Sequence, residues 1–223
     1  GVVAVSESDK KEMMKLVPDL KVDLVPNGVN LSFFKRKTDW KSTAPRILFI
    51  ANFKWLQNVE AASLLLKEVF PLVHAKKPDA KVWIVGQHIP EEILRYESED
   101  VIIDNLKEDD QEGIRNAYFN SSVFVSPLRG PGGTRLKHLA SMAARLPLVT
   151  TPVGAEGLDA TEGKDIIIRN TPEEIAEATL KILNDPKLAE RIAASAGELV
   201  EKKFGWDKMG EYLESIYDEK AKK

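Results

Sequence analysis

Apolar and polar positions alternate along this chain between short hydrophobic runs and longer stretches of helical period. From Arg46 onward, residues 47–50, 82–85, 101–103, 123–125, 148–150 and 166–168 run apolar and stop at polar, Gly or Pro residues. Parallel strands buried on both faces look like this in sequence. Between the first two runs, Ala62, Leu65, Leu66, Val69 and Val73 keep helical spacing and predict one long amphipathic crossover. Residues 109–118 and 134–144 predict two shorter helices, the second entered through Gly132-Gly133. Residues 172–183, 186–203 and 206–220 predict three more, with Pro172 and Pro186 at first-turn positions where a missing N–H costs no hydrogen bond. The alternation predicts a doubly wound parallel α/β sheet with C-terminal helices. Ligands of such domains bind at the C-terminal ends of the strands, near a reversal of strand order.

The first 45 residues read differently. Residues 2–5 predict a buried strand, Ser6 an N-cap with Asp9 three positions on, and residues 10–17 a short helix that Pro18 stops. Residues 22–25 predict a second strand, Pro26-Asn27-Gly28 a turn, and the polar stretch 32–45 an interdomain linker. A strand at the very start, with no turn or cap before it, implies that further chain precedes Gly1.

Composition narrows the function. A chain of 223 residues with 43% hydrophobic and 30% charged side chains is an ordinary globular one. Its net charge of -3 offers no global attraction for a polyanion, and the one tight basic cluster, Lys35-Arg36-Lys37, reads as solvated linker. Without cysteine, disulfide frameworks, zinc-thiolate sites and cysteine nucleophiles are excluded together, and a reducing compartment is compatible. Gly1-Val2-Val3-Ala4-Val5 lacks the flanks of a signal peptide, and no apolar run approaches the ~20 residues of a membrane span.

The loop after the fourth apolar run, Ser126-Pro127-Leu128-Arg129-Gly130-Pro131-Gly132-Gly133-Thr134-Arg135-Leu136-Lys137, holds three glycines within four residues. Such a loop lets backbone N–H groups approach an anion, and a helix starting near Thr134 adds its positive dipole end. The same glycines also suit a tight turn onto the sheet. Arg135 and Lys137 favour the first reading, because cations in a first helical turn oppose the dipole by ~0.3–1 kcal/mol each unless an anion lies between them. The residues do not fit several rivals. Ala51-Asn52-Phe53-Lys54-Trp55 after the first strand is no dinucleotide fingerprint, Gly163-Lys164-Asp165 is no P-loop, and no G-x-S-x-G elbow occurs. His74, His88 and His138 lack metal-ligand spacing and read as surface or partly packed residues.

Residues 126–157, SPLRGPGGTRLKHLASMAARLPLVTTPVGAEG, resemble the donor-site signature of family 4 glycosyltransferases of the GT-B fold. Val3-Ala4-Val5-Ser6 and Val25-Pro26-Asn27-Gly28-Val29 resemble the segment where that family's N-terminal acceptor domain ends. Residues 47–59, with Phe53, Trp55 and Asn58, resemble the first strand and loop of the donor domain in one branch. The resemblance covers essentially the whole chain. It implies that residues 1–45 close an acceptor domain and form the hinge. Residues 46–203 then make a Rossmann-like GT-B C-terminal domain, and residues 204–223 a helix crossing back to the acceptor domain.

The resemblance also implies a nucleoside-diphosphate sugar as donor substrate, with the diphosphate over Gly132, Gly133 and Thr134 and the base beyond Gly86 and Gln87. It implies transfer with retained configuration, no metal and no cofactor, and a glycan or lipid-linked acceptor reached through the N-terminal domain. Neither nucleic acid nor a transmembrane segment belongs to this reading, and the implied location is cytoplasmic or peripheral to a membrane. The family's pair of glutamates falls here on Gly132 and Ala140, and the arginine and lysine that hold the diphosphate from the first loop fall on Asn52 and Gln57. Arg135, Lys137 and Lys54 are candidates to compensate, with surface roles for the two lysines left open. Glu156 stands either against the donor sugar or in solvent, and Arg145 replaces a glycine usual at a left-handed helix end. No residue is a convincing general base or nucleophile. An isolated chain of this kind is expected to bind without turning over. A non-catalytic nucleotide-sugar-binding or scaffold module with a degenerate donor site and a GT-B nucleotide-sugar epimerase remain as other readings, the latter in need of acid and base residues.

Overall fold

The computed structural model describes residues 1–34, 37, 44–130 and 135–221. At the N-terminus, β1 (Val2–Ala4), α1 (Glu7–Leu16) and β2 (Val22–Leu24) form a small unit with parallel strands. Ser6 caps α1 by accepting from the Asp9 N–H at 3.0 Å, so the helix starts three residues earlier than its apolar period suggests. The expected burial of residues 2–5 does not hold. Ala4 is buried while Val3 and Val5 are exposed, since among the described residues β1 and β2 pair with each other alone.

Six further strands make one sheet: β3 (Arg46–Asn52), β4 (Lys81–Gln87), β5 (Val101–Asn105), β6 (Val123–Ser126), β7 (Leu148–Thr150) and β8 (Ile167–Ile168). Their order is β5-β4-β3-β6-β7-β8, parallel throughout. The chain enters at β3, winds outward to β5, then returns to the other side of β3 and winds outward again. The doubly wound expectation therefore holds, and the reversal falls between β3 and β6. Ile47, Leu48 and Phe49 of β3 and Val123, Phe124 and Val125 of β6 are wholly buried, which explains their unbroken apolar runs.

The first crossover is one continuous helix with a defect. α2 (Leu56–Leu64) passes through a π-helical segment, Leu65–Val69, into α3 (Phe70–Lys76). Pro71 has no N–H to give to the preceding turn, and the Phe70 N–H reaches back five residues to Leu65 O instead. Then follow α4 (Glu91–Leu94), α5 (Gln111–Phe119), α6 (Leu136–Ala143), α7 (Pro152–Ala155), α8 (Pro172–Asn184), α9 (Pro186–Lys203) and α10 (Trp206–Ala221). α4 and α7 are single turns, too short to show a period. The Thr171 hydroxyl and the Glu174 carboxylate form a capping box at the start of α8, at 3.3 and 3.1 Å.

One expectation about charged residues changes here, and one is accounted for. Lys37 is not solvated linker. It is 3% exposed, and its amine donates to Ser121 O and Phe119 O, carbonyls left over at the end of α5. Lys35 and Arg36 lie outside the described residues. Arg145 adopts the left-handed conformation expected of the glycine it replaces, at φ 55°, and its guanidinium reaches Glu201 of α9 at 3.4 Å. The end of the chain returns to the N-terminal segment: Val29 N–H donates to Phe204 O, just before α10, at 2.7 Å, and Lys220 of α10 pairs with Asp23 of β2 at 3.1 Å. No described helix is long and apolar enough to cross a membrane.

Candidate functional site

The loops after β3 and β6 meet across the reversal of strand order. A Cβ placed on Gly130 would lie 3.2 Å from the Gln57 Cβ, so the loop after β6 approaches the first turn of α2. Gly132, Gly133 and Thr134, the expected phosphate cradle, lie outside the described residues. The chain re-enters at Arg135, which is the N-cap of α6 rather than part of its first turn; the helix begins at Leu136, not Thr134. Arg135 is 5% exposed, and its guanidinium donates to Val153 O at 3.1 Å and Gly130 O at 3.4 Å. Burial lowers the affinity of this side chain for its proton, and the field of Glu156 partly restores it. Glu156 itself is exposed at the end of α7, beside Arg135 but open to solvent.

Lys137, two residues on, is held in a different way. Its amine donates to Asn58 Oδ1 and lies 5.2 Å from the centroid of the Phe49 ring. Among the described residues no carboxylate pairs with it. Burial, and then the charge of Arg135, lower its pKa to about 7. Asn58 is buried, and its Nδ2 donates to Asn52 O at 2.7 Å. A hydrogen-bonded chain therefore runs from α6 through α2 to the end of β3. In the sequence Asn58 resembles a residue of one branch of the family and carries no assigned role. The cue was available in principle, as a buried amide in the first turn of a crossover helix must find partners.

Beneath these cations lies His138, which is wholly buried and not the surface or partly packed residue expected. Its Nδ1 faces Gly154 O at 2.8 Å and its Nε2 faces Ser126 Oγ at 2.8 Å. A carbonyl accepts only, so Nδ1 carries the proton and Nε2 accepts from the serine hydroxyl. Desolvation, with the charge of Lys137 next, lowers its pKa to about 3, and the ring stays neutral. Gly154 fits because a Cβ there would stand 2.0 Å from Thr150 Oγ1. Thr151 caps α7 through the Gly154 N–H at 3.1 Å and donates its hydroxyl to Leu128 O, tying the loops after β6 and β7 together.

Across the crevice the charges are looser. Lys54 is exposed and stands 3.9 Å from Glu108, which also lies 3.7 Å from the His88 ring. Asn52 Oδ1 accepts from the Lys54 N–H at 3.0 Å in an exposed local turn. Gln87 donates to Lys107 O at 3.3 Å. Gly86 serves the strand pairing: a Cβ there would fall 1.8 Å from Ala51 O. Arg135, Lys137 and Glu156 thus gather on the β6 side, with Asn52 joined to them through Asn58, while Lys54, Gly86 and Gln87 line the β3–β4 side. Ala140 is 8% exposed within α6, and no group of His, Asp and Glu among the described residues is arranged to hold a metal ion.

Residues 44–185, more than half of the chain, match the family described as glycosyl transferases group 1. The chain belongs to this family. It is 24% identical, over 212 residues, to a GDP-mannose-dependent monoacylated alpha-(1-6)-phosphatidylinositol monomannoside mannosyltransferase of Corynebacterium glutamicum, covering 86% of this chain and 55% of that one. The chain spans about half the length of the longer-matched curated relatives. Its fold matches sucrose-phosphate synthase from Thermosynechococcus elongatus with TM-score 0.78 at 19% identity, over 98% of this chain and 57% of that one. It also matches Anabaena Alr3699/HepE, solved in complex with UDP and glucose, with TM-score 0.76 at 12% identity, over 97% and 62%. At these identities the likeness establishes a GT-B-type fold for this group 1 chain.

Proposed function

We propose that this chain is the donor-binding half of a family 4 glycosyltransferase, taking a nucleoside-diphosphate sugar into the crevice between the loops of β3 and β6. The observation that carries this reading is the pair Arg135 and Lys137, two basic side chains, one buried and one part-buried, at the switch of strand order, the second with no carboxylate partner among the described residues. Buried cations attract the charge that develops on a departing diphosphate more strongly than solvated ones, because little water screens them. Backbone N–H groups of the Gly132–Thr134 loop are assigned the same task by the resemblance alone. In this reading transfer retains configuration and needs neither metal nor cofactor. The acceptor is a glycan or lipid-linked glycan of surface polysaccharide assembly, bound by an N-terminal domain of which residues 1–45 are the end, in the cytoplasm or at a membrane surface. Residues 46–203 are the donor domain, and α10 crosses back.

A second reading, a nucleotide-sugar module without transfer, is favoured by Ala140, whose small buried side chain offers no carboxylate to a ribose, and by Asn52, whose side-chain oxygen already accepts from the Lys54 N–H and whose carbonyl accepts from Asn58 Nδ2. Calorimetric titration with UDP, GDP and their sugar conjugates tests the common part. Saturable binding of one nucleotide, weakened in Arg135→Ala, supports a donor site and identifies its base. No binding by the folded chain contradicts it. Sugar transfer by the chain joined to its acceptor domain then separates enzyme from module.

A further inference from the structure

We propose that Asn58 is the positioning residue for Lys137, and that filling the crevice with a nucleoside-diphosphate sugar is coupled to uptake of one proton by the Lys137 amine. This rests on the donor-site reading. The geometry is that of an amine held in place without being neutralised. Asn58 Oδ1 accepts its hydrogen bond, and the same amide is fixed through Nδ2 to Asn52 O at 2.7 Å. The Phe49 ring, wholly buried in β3, lies under the amine at 5.2 Å. An amide oxygen and a ring face hold an ammonium less strongly than a carboxylate does, and both also tolerate the neutral amine.

Among the described residues, the charged and titratable groups around Lys137 are few. Arg135, at the start of α6, repels its charge, and buried neutral His138 follows it on α6. From α5 the Tyr118 hydroxyl donates to Lys137 O at 3.2 Å and stays protonated by burial. Glu156 acts on Arg135, and Lys54 of the β3 loop is turned to Glu108 at 3.9 Å. None of these supplies the opposite charge. Near neutral pH a large fraction of Lys137 is therefore unprotonated when the crevice is empty. A diphosphate between Arg135 and Lys137 brings that charge, and an opposite charge within ~4–6 Å favours the protonated amine. The amine then takes a proton from solvent, and no other bond changes. The donor binds the protonated form more tightly. Its affinity is flat below the free amine's pKa, then falls by up to about tenfold per pH unit above it until the higher pKa of the bound state.

The test is calorimetric titration of the full chain with UDP-glucose and GDP-mannose, whose diesterified diphosphates do not titrate between about pH 6 and 9. Each is measured in Tris and in HEPES, buffers of different ionisation heat, so that protons exchanged are counted. The expected uptake for the tighter donor is about 0.9 proton at pH 8 and about 0.1 at pH 6. Lys137→Arg, charged at every pH, retains binding and loses the uptake. Asn58→Asp gives the amine a carboxylate, charges it in advance and cuts the uptake at pH 8 severalfold, with folding checked by circular dichroism. Binding with no uptake at pH 8, or uptake unchanged in Lys137→Arg, overturns the coupling and leaves the donor reading standing. Unchanged uptake in folded Asn58→Asp overturns the role of Asn58. Binding of neither donor by the folded chain contradicts the donor reading itself, and the coupling with it.

Discussion

The two walls of the crevice carry similar numbers of charges and treat them oppositely. On the β6 side, Arg135 is 5% exposed, Lys137 rests on an aromatic face, and both are fixed to groups that packing holds still. On the β3–β4 side, Lys54 and His88 meet Glu108 at 3.9 and 3.7 Å in the open. Exposed pairs of that kind contribute little, because water and salt screen them and long side chains lose freedom in forming them. The difference teaches where an anion would gain most. The β6 wall supplies charge in a poorly solvated place, and the β3–β4 wall supplies shape, through Gly86 and the turn that Asn52 makes with Lys54.

The largest effect that breaks this contrast is structural. Gly86→Ala forces a Cβ onto Ala51 O, separates β3 from β4 and is expected to cost about 3 kcal/mol or more, read as a lowered urea midpoint. Next, Arg135→Ala removes a charged donor from the buried wall. Nucleotide affinity then falls roughly 10- to 150-fold by calorimetry, the range that charge-assisted hydrogen bonds of ~1.5–3 kcal/mol give. His138 sharpens the contrast through pH. Its folded pKa, about 3, is below the ordinary value, so the unfolded chain binds the proton first. Stability from this group is whole above about pH 6.5 and is lost on acidification by up to about 1.4 kcal/mol per unit towards pH 3. His138→Gln removes that share of the slope in denaturation series at pH 7 and pH 5. The smallest effect is on the open wall: Lys54→Ala changes affinity less than about twofold, and 0.5 M salt erases the change.

The sheet was legible in the sequence because each strand is covered on both faces and reads as an apolar run, as residues 47–50 and 123–125 do. The place of the candidate site follows from the strand-order rule, with the glycine-rich stretch after β6 marking it in the sequence. What stayed hidden was the state of individual polar side chains. α6 is buried from His138 through Ala143, so it has no polar face against which a period could sort His138 as interior. Lys37 looked solvated because a basic triplet is usually solvated, whereas here carbonyls left at the end of α5 claim its amine. The Asn58 tether joins residues far apart in sequence, and only the meeting of α2 with α6 reveals it.

The most direct measurement is a crystal structure of the chain with bound UDP or GDP, whichever calorimetry selects. The account predicts diphosphate oxygens within hydrogen-bond reach of the Arg135 guanidinium and the Lys137 amine at the C-terminal end of β6. A nucleotide seated elsewhere, or one whose diphosphate lies on Lys54 and His88 across the crevice, would contradict it.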